Sequence, residues 1–269
     1  MNRGPFKVSV IIPCFNHGEF LPEAVASVIS MNRDDVELLV VDDGSTDECT
    51  RSEMGVLVTR GINVIRQENK GLSAARNAGI AASRAEYILP LDADNRLRPA
   101  YVDHGIRILD TQPHVGVVYG DVEFIGIRTG RGSVGPFNPA RLLDSNYIDA
   151  CAFFRRLVWE QNGGYDERML DGFEDWDFWL GAVERGWEFA YVPEVLFDYR
   201  KAHESMLTRV WHLREQVAEF VAHKHGALYR REWLRLAREH DSGKATFRNL
   251  RRIVKTRIKQ KLRIDGDFG

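Results

Sequence analysis

Asp92 and Asp94 stand one residue apart where the apolar run Tyr87-Ile88-Leu89-Pro90-Leu91 breaks into Asp92-Ala93-Asp94-Asn95. Hard oxygen donors this close together suit Mg²⁺ or Mn²⁺, above all a cation that a phosphate also holds. The same residues suit a plain strand exit, where Asp and Asn are common. A second acidic group, Phe173-Glu174-Asp175-Trp176-Asp177-Phe178-Trp179, sets neighbouring carboxylates among aromatics. A carboxylate beside a partly dry pocket has its pKa raised and can act as a base. Acids at a helix start, with Trp176 and Trp179 in the core, account for the pattern equally simply.

Three further stretches carry usable groups. Pro13-Cys14-Phe15-Asn16 places an aromatic beside a proline, where it can stack on a flat base or merely end a strand. Asp42-Asp43-Gly44-Ser45-Thr46-Asp47 offers one carboxylate to a base N–H, or only the cap of the next helix through Ser45 or Asp47. Asn69 to Gly79 puts Lys70 and Arg76 near a helix start that Ser73 can cap. Cations rarely favour that end of a helix unless an anion, such as a diphosphate, lies there too. In Tyr199-Arg200-Lys201-Ala202-His203, the histidine is a candidate third metal ligand if the acidic site is near.

These groups need elements to position them. Val8–Ile12, Glu37–Val41, Asn63–Arg66 and Tyr87–Leu91 read as buried strands, and Phe20–Ile29 and Ser73–Ala82 as helices. A helix at Tyr101–Leu109 and a strand at Val115–Tyr119 follow. The alternation predicts an α/β sandwich with a mostly parallel central sheet, Rossmann-like in layout. The loops after the first, second and fourth strands then share one sheet edge, where ligands bind in open parallel sheets. Ile125 to Pro139, rich in glycine, reads as a mobile loop or a hairpin. Order resumes at Ala152–Glu160, turns at Gly163–Asp166, and continues with a helix at Trp176–Arg185, a strand at Phe189–Val192 and a helix at Arg209–Ala222.

The totals are those of a globular chain: 269 residues, 44% apolar and 28% charged, enough for one large core. A net charge of −2 neither favours nor excludes nucleic acid, and no nucleic-acid partner is expected. Cys14, Cys49 and Cys151 are scattered, without a zinc or disulfide pattern, which fits a reducing compartment. No apolar run reaches the roughly 18 residues of a membrane span, and Met1–Lys7 leads straight into a strand. A cytoplasmic location is expected, with contact at the inner membrane face as an option.

Seven segments in order, VSVIIPCFN, LLVVDDGSTD, NKGLSAARNAG, YILPLDADN, GGYDE, FEDWDFW and YRKAH, resemble the inverting family-2 glycosyltransferases. They lie between residues 7 and 205. The resemblance implies the A-type glycosyltransferase fold, with a catalytic domain over 1–205, its nucleotide half about 1–98 and its acceptor half about 99–205. It implies a nucleotide-sugar donor, UDP first and dTDP next, and a divalent cation as cofactor. By the same resemblance Pro13 and Phe15 line the base and Asp43 accepts from it. Arg76 lies near the base and diphosphate, and Asp92 contacts the ribose or the metal shell. Asp94 binds the ion with His203, and Asp175 is the general base. Gly164, Tyr165 and Glu174 shape the acceptor side. The acceptor class it implies is a glycan or lipid-linked saccharide of cell-envelope polysaccharide synthesis. The family often has Tyr where Phe15 stands, so a hydroxyl contact is missing while stacking survives.

A nucleotidyltransferase can share the fold and the carboxylates, but Pro13 to Glu19 lacks the Gly-rich, cationic loop that class uses for a triphosphate. A non-catalytic binding module is countered by Asp92, Asp94 and Asp175 occurring together. Beyond the resemblance, 206–269 reads as a helical extension. Lys244 to Arg263 is basic, with Phe247, Leu250, Val254, Ile258 and Leu262 at helical spacing. Such a helix suits an anionic membrane surface, a partner's groove, or packing of one stripe on the domain.

Overall fold

The computed structural model describes residues 6–170, 172–202 and 211–241. Strand β1 (Val8–Cys14) is buried along its whole length. Its β-branched residues face both ways: Ile11 enters one core, while Val8, Val10 and Ile12 enter the other. A strand with two apolar faces belongs inside a sheet covered by helices on both sides. It pairs in parallel with β2 (Val36–Asp42) and β4 (Tyr87–Pro90), and β2 pairs in parallel with β3 (Asn63–Arg66). Helices α1 (Leu21–Ile29), α2 (Glu48–Thr59) and α4 (Ala100–Thr111) supply the core on the Val10 side. Helix α3 (Leu72–Ala82) packs on the Ile11 side. It lies close: a Cβ on Gly79 would stand 2.4 Å from Ile11 Cγ2 and 3.0 Å from Val41 Cγ2. Only glycine permits that approach, which brings the rest of α3 onto the sheet edge.

Beyond β4 the sheet becomes mixed. Strand β8 (Phe153–Arg155) runs antiparallel between β4 and β6 (Val115–Gly126). Strand β6 is parallel to β9 (Glu188–Lys201), and the two-residue β5 (Arg96–Leu97) closes that edge antiparallel to β9. The order among the described residues is β3-β2-β1-β4-β8-β6-β9-β5, with β7 (Gly130–Gly132) beside β6. The parallel half thus matches the strand–helix alternation of the sequence. Strands β6 and β9 run far past the expected Val115–Tyr119 and Phe189–Val192. Register shifts around Gly120–Val122 carry β9 across Pro193, which reads as a breaker in sequence. Of the two readings of Ile125–Pro139, the structure has the hairpin, β6 pairing with β7 through Val122–Gly132 and Phe124–Gly130.

Helices α5 (Pro139–Asp144), α6 (Arg156–Asn162) and α7 (Glu174–Glu184) thicken the Ile11-side layer. Two C-terminal helices, α8 (Arg214–Lys224) and α9 (Gly226–Asp241), add Val221, Ala222, Leu228, Tyr229 and Leu236 to the same core. The expected helix at Arg209–Ala222 begins at Arg214, after a 3₁₀ turn at Trp211–Leu213. Residues 203–210 lie outside the described chain, as does the basic stretch 244–263 with its membrane-contact expectation. Among the described residues no helix is long and apolar enough to cross a membrane.

Candidate active site

The carboxyl ends of β1, β2 and β4 open onto a cavity of about 980 Å³. Pro13, Phe15, Asp43, Arg76, Asp92 and Asp94 all line it from the parallel half, and Glu174 and Asp175 line it from α7. Phe15 is 43% exposed, an apolar ring left open to a flat ligand. Backbone bonds fix this edge: Asp43 N–H donates to Cys14 O at 2.9 Å, and Leu91 N–H to Ile11 O at 2.9 Å. Asp47 caps α2 by accepting from Thr50 N at 2.8 Å, and Ser45 Oγ accepts from Asn16 N at 3.1 Å. The loops after β1 and β2 are therefore tied together.

The anion at the positive end of α3 belongs to the protein. Asp43 accepts from Lys70 N and Gly71 N, each at 2.9 Å, and from Gln67 Nε2 at 2.7 Å. Ser73, expected as a cap, makes no hydrogen bond through its buried hydroxyl, because Gly71 occupies the cap position and Asp43 holds the turn before it. Arg76 is likewise committed. It is 1% exposed, donates through Nη2 to Asp92 at 2.7 Å and through Nη1 to Glu174. Burial alone would lower its pKa, but Asp92 and Glu174 outweigh that and hold the guanidinium charged. Arg76 therefore joins the Asp92–Asp94 loop to α7 as a strut. It reaches a ligand only along the cavity wall.

The carboxylates around that single guanidinium are crowded. Desolvation and the charge of Asp92 raise Asp94 to about 6. Desolvation and Asp92 raise Asp149, another cavity-lining residue, to about 7. Asp175 is half-buried, touching the cavity on one side and protein on the others. Desolvation, then Glu174 and Asp149, push it well above the ordinary carboxylate range. Its carboxylate accepts from Asn146 Nδ2 and from Trp176 N, both at 2.8 Å. The residue before this acidic pair, Phe173, holds φ at 62°, a strained left-handed backbone for a side chain of that size. That kink starts α7 at Glu174.

Two residues expected on the acceptor side stand elsewhere. Gly164 and Tyr165 line a separate polar hollow of about 350 Å³. The reason is a clasp on α3. Asn77 Oδ1 accepts from Tyr165 N at 2.8 Å and from Trp159 Nε1 at 2.9 Å, while Asn77 Nδ2 donates to Tyr165 O at 2.9 Å. Gly164, at φ 90°, leaves no room for a Cβ, which would meet Asn77 Oδ1 at 2.9 Å. The Tyr165 ring stacks on Phe178 at 4.2 Å and lies 5.6 Å from the Arg76 guanidinium. It supports the strut from beneath. Glu174, by contrast, lines the cavity, 3% exposed and paired to Arg76. His203 lies outside the described residues.

The structure adds lining that sequence patterns did not single out. The segment from Asp144 to Cys151 forms one wall, with Asn146 on Asp175. Tyr119 and Phe124 from β6 and Tyr199 and Lys201 from β9 form another. Arg214, Glu215 and Ala218 of α8 close a side from beyond the resembling region. Among the described residues no group of three or more His, Cys, Asp or Glu side chains is disposed to hold a metal ion.

Known proteins resemble this chain in sequence and in fold. The family model described as Glycosyl transferase family 2 matches residues 9–159, more than half of the chain. A protein of Nostoc sp., described as an uncharacterized glycosyltransferase, is 36% identical over 42% of this chain and 36% of its own length. The chondroitin synthase of Escherichia coli is 26% identical over 71% of this chain and 28% of its own. The chain thus spans about a third of these relatives' length. A solved structure of S. aureus TarS in complex with UDP-GlcNAc superposes with a TM-score of 0.66 at 17% identity, covering 83% of this chain and 66% of that one. The fold is that of TarS, and the chain belongs to glycosyl transferase family 2.

Proposed function

We propose that the chain transfers a sugar from a nucleoside-diphosphate donor to an acceptor hydroxyl with inversion, Asp175 acting as general base. The observation that carries this reading is the position of Asp175. A carboxylate with a raised pKa lies on the wall of the same cavity that Asp92 and Asp94 line at the carboxyl edge of the parallel strands. UDP is the favoured nucleotide, supported by the UDP-GlcNAc complex of TarS, with dTDP next. Phe15 and Pro13 offer an apolar surface to the base. Asp43 shapes the turn before α3 that borders it.

In the reaction Asp175 takes the acceptor's hydroxyl proton. The freed oxygen attacks the anomeric carbon, and the bond to the diphosphate oxygen breaks on the opposite face. One displacement inverts the configuration without a covalent enzyme intermediate. Asp92 and Asp94 fit a hard divalent cation: they are oxygen donors, and burial together with the Asp92 charge already pushes the Asp94 proton affinity up. Asp94 would hold it, with Asp92 at its margin because Arg76 occupies one Asp92 oxygen. Mg²⁺ or Mn²⁺ there would offset charge on the departing diphosphate. The acceptor is read as a saccharide, free or lipid-linked, because the partly exposed Tyr147 and Phe173 line the cavity near Asp175 and offer ring surface to a sugar.

Thermal unfolding with UDP, dTDP, GDP and CDP, each with and without Mn²⁺, tests the donor reading. UDP at 100 times its Kd should add about 2.7 kcal/mol of stability. Stabilisation that needs Mn²⁺ and follows one nucleotide supports the reading. Unchanged midpoints with all four would overturn it.

A further inference from the structure

Helix α7 and the wall opposite it are joined by three side-chain contacts. Trp176 Nε1 donates to Leu142 O at 2.6 Å, and Trp179 Nε1 donates to Ile148 O at 3.2 Å. Both indoles are buried. Between those two anchors Asn146 Nδ2 donates to Asp175 Oδ2 at 2.8 Å. The amide has little freedom to turn round, because its Oδ1 takes a long contact from Ile148 N at 3.4 Å within the same turn. The segment is braced from behind as well: the Tyr147 hydroxyl accepts from Asn138 N at 2.8 Å, and the Arg141 guanidinium lies 3.8 Å over its ring.

We infer that Asn146 is a positioning residue, whose amide fixes the Asp175 carboxylate and favours the unprotonated form that the transfer requires. This rests on the reading of Asp175 as the base. An amide N–H can only donate, and it bonds the oxygen of a charged carboxylate more strongly than the carbonyl oxygen of the neutral acid. Glu174 on α7 and Asp149 on the opposite wall repel charge on Asp175, and Arg76 on α3 attracts it. Tyr165 and Tyr199 also face it, and burial pushes both phenols up, so they stay neutral. Among the described residues Asn146 supplies the sole side-chain donor to that carboxylate. Without it, among the described residues, the adjoining Trp176 N–H and the distant guanidinium are left to favour the charged form.

The test is a carboxyl ¹³C NMR titration of the full chain labelled at aspartate, with the Asp175 signal assigned by its loss in Asp175→Asn. In Asn146→Ala the Asp175 midpoint should rise by about one pH unit, the size of one hydrogen bond to a charged group. Asn146→Asp is isosteric, keeps the oxygen that faces Ile148 N, and should move the midpoint further up by setting two acids together. It also covers the case in which Asn146→Ala does not fold. UDP release from UDP-GlcNAc, followed across pH, should lose rate at the acidic end in both variants and recover towards alkaline pH, with KM for the donor unchanged. An Asp175 midpoint equal to wild type in the variants would overturn the inference. Full turnover by Asp175→Asn would remove the base reading instead and leave the contact, as read by the titration, in place.

Discussion

Strand β6 and helix α7 each present a carboxylate to the interior, and the two are shifted in opposite directions. Asp121 on β6 is 0% exposed. It accepts from Tyr191 Oη at 2.6 Å, Val134 N at 2.8 Å, and Arg131 Nε and Nη2 at 3.0 and 2.6 Å. Burial alone would raise its pKa, but these donors outweigh it and hold the carboxyl below its ordinary value. Asp175 keeps one side on the cavity, and burial with two neighbouring acids holds its pKa well above the ordinary value. Among the described residues its donors are one amide and its neighbour's N–H. Burial raises both carboxylates; the donors on Asp121 outweigh it, and those on Asp175 do not. Asp121 pins the hairpin to the sheet; Asp175, on the reading proposed, keeps the proton affinity a base needs.

If Asp175 is the base as proposed, replacing it should have the largest effect. Asp175→Asn would remove that proton acceptor while keeping shape. Sugar transfer should fall by about 10²–10⁴-fold. UDP affinity, measured by calorimetry, should stay within twofold. Stability should move the other way. A carboxylate whose folded pKa is raised costs nothing below its unfolded pKa of about 4; the cost grows as pH rises above that and levels off once the folded value is passed. Asp175→Asn should therefore unfold at higher urea than wild type, with a margin that widens as pH rises above about 4. A margin that narrows with pH would contradict the raised pKa.

Asp121→Ala is the mirror experiment. It leaves the Tyr191 hydroxyl and the Val134 N–H without their acceptor, at a cost of about 3 kcal/mol. Arg131 is half exposed and adds little. Because the folded pKa is depressed, this stability is present above about pH 4 and disappears as pH falls through the folded value. The urea midpoints of variant and wild type should thus converge in acid. Asp121 does not line the cavity, so the folded variant should bind UDP as wild type does.

Much of this contrast was legible in residue order, but unevenly. The Asp92–Asp94 break and the Glu174–Asp175 pair could be read because an apolar run and an aromatic frame mark where each chain segment leaves the core. The parallel half followed from strand–helix alternation. Strand β8 was not visible as a sheet partner, since its three residues pair at long range between strands of opposite sense. The Gly163–Asp166 turn was correctly local, but a turn pattern carries no direction, and its residues clasp Asn77 rather than facing the cavity. Asn146 belongs to no motif; only the two indole bonds that bracket it reveal its place. The contribution of α8 to the cavity wall was hidden because nothing in its residues marks which end meets the site.

A third inner acid on α7 gives the smallest effect. Asp177, on α7 two residues past Asp175, is buried and takes its donors from the C-terminal helices. Lys224 Nζ donates to its Oδ2 at 2.7 Å and to Asp166 Oδ2 at 2.8 Å, and His225 Nε2 lies 3.0 Å from its Oδ1. Asp166 is held low chiefly by Arg168, with Lys224 adding to it. Lys224 is about a third exposed, which screens these pairs, and Asp177 keeps His225 without it. Lys224→Met should therefore cost only about 1 kcal/mol, a fall of about 2–4 °C in Tm. The loss should shrink in 1 M salt and in acid, where the Asp166 carboxylate is protonated. Transfer should change little, because Asp177 braces α7 without lining the cavity. If Lys224→Met lowered transfer as far as Asp175→Asn while UDP binding held, α8 and α9 would have to be counted among the groups that place the base. Donor supply would then explain the reactivity of this region less well than the tension its C-terminal helices keep on α7.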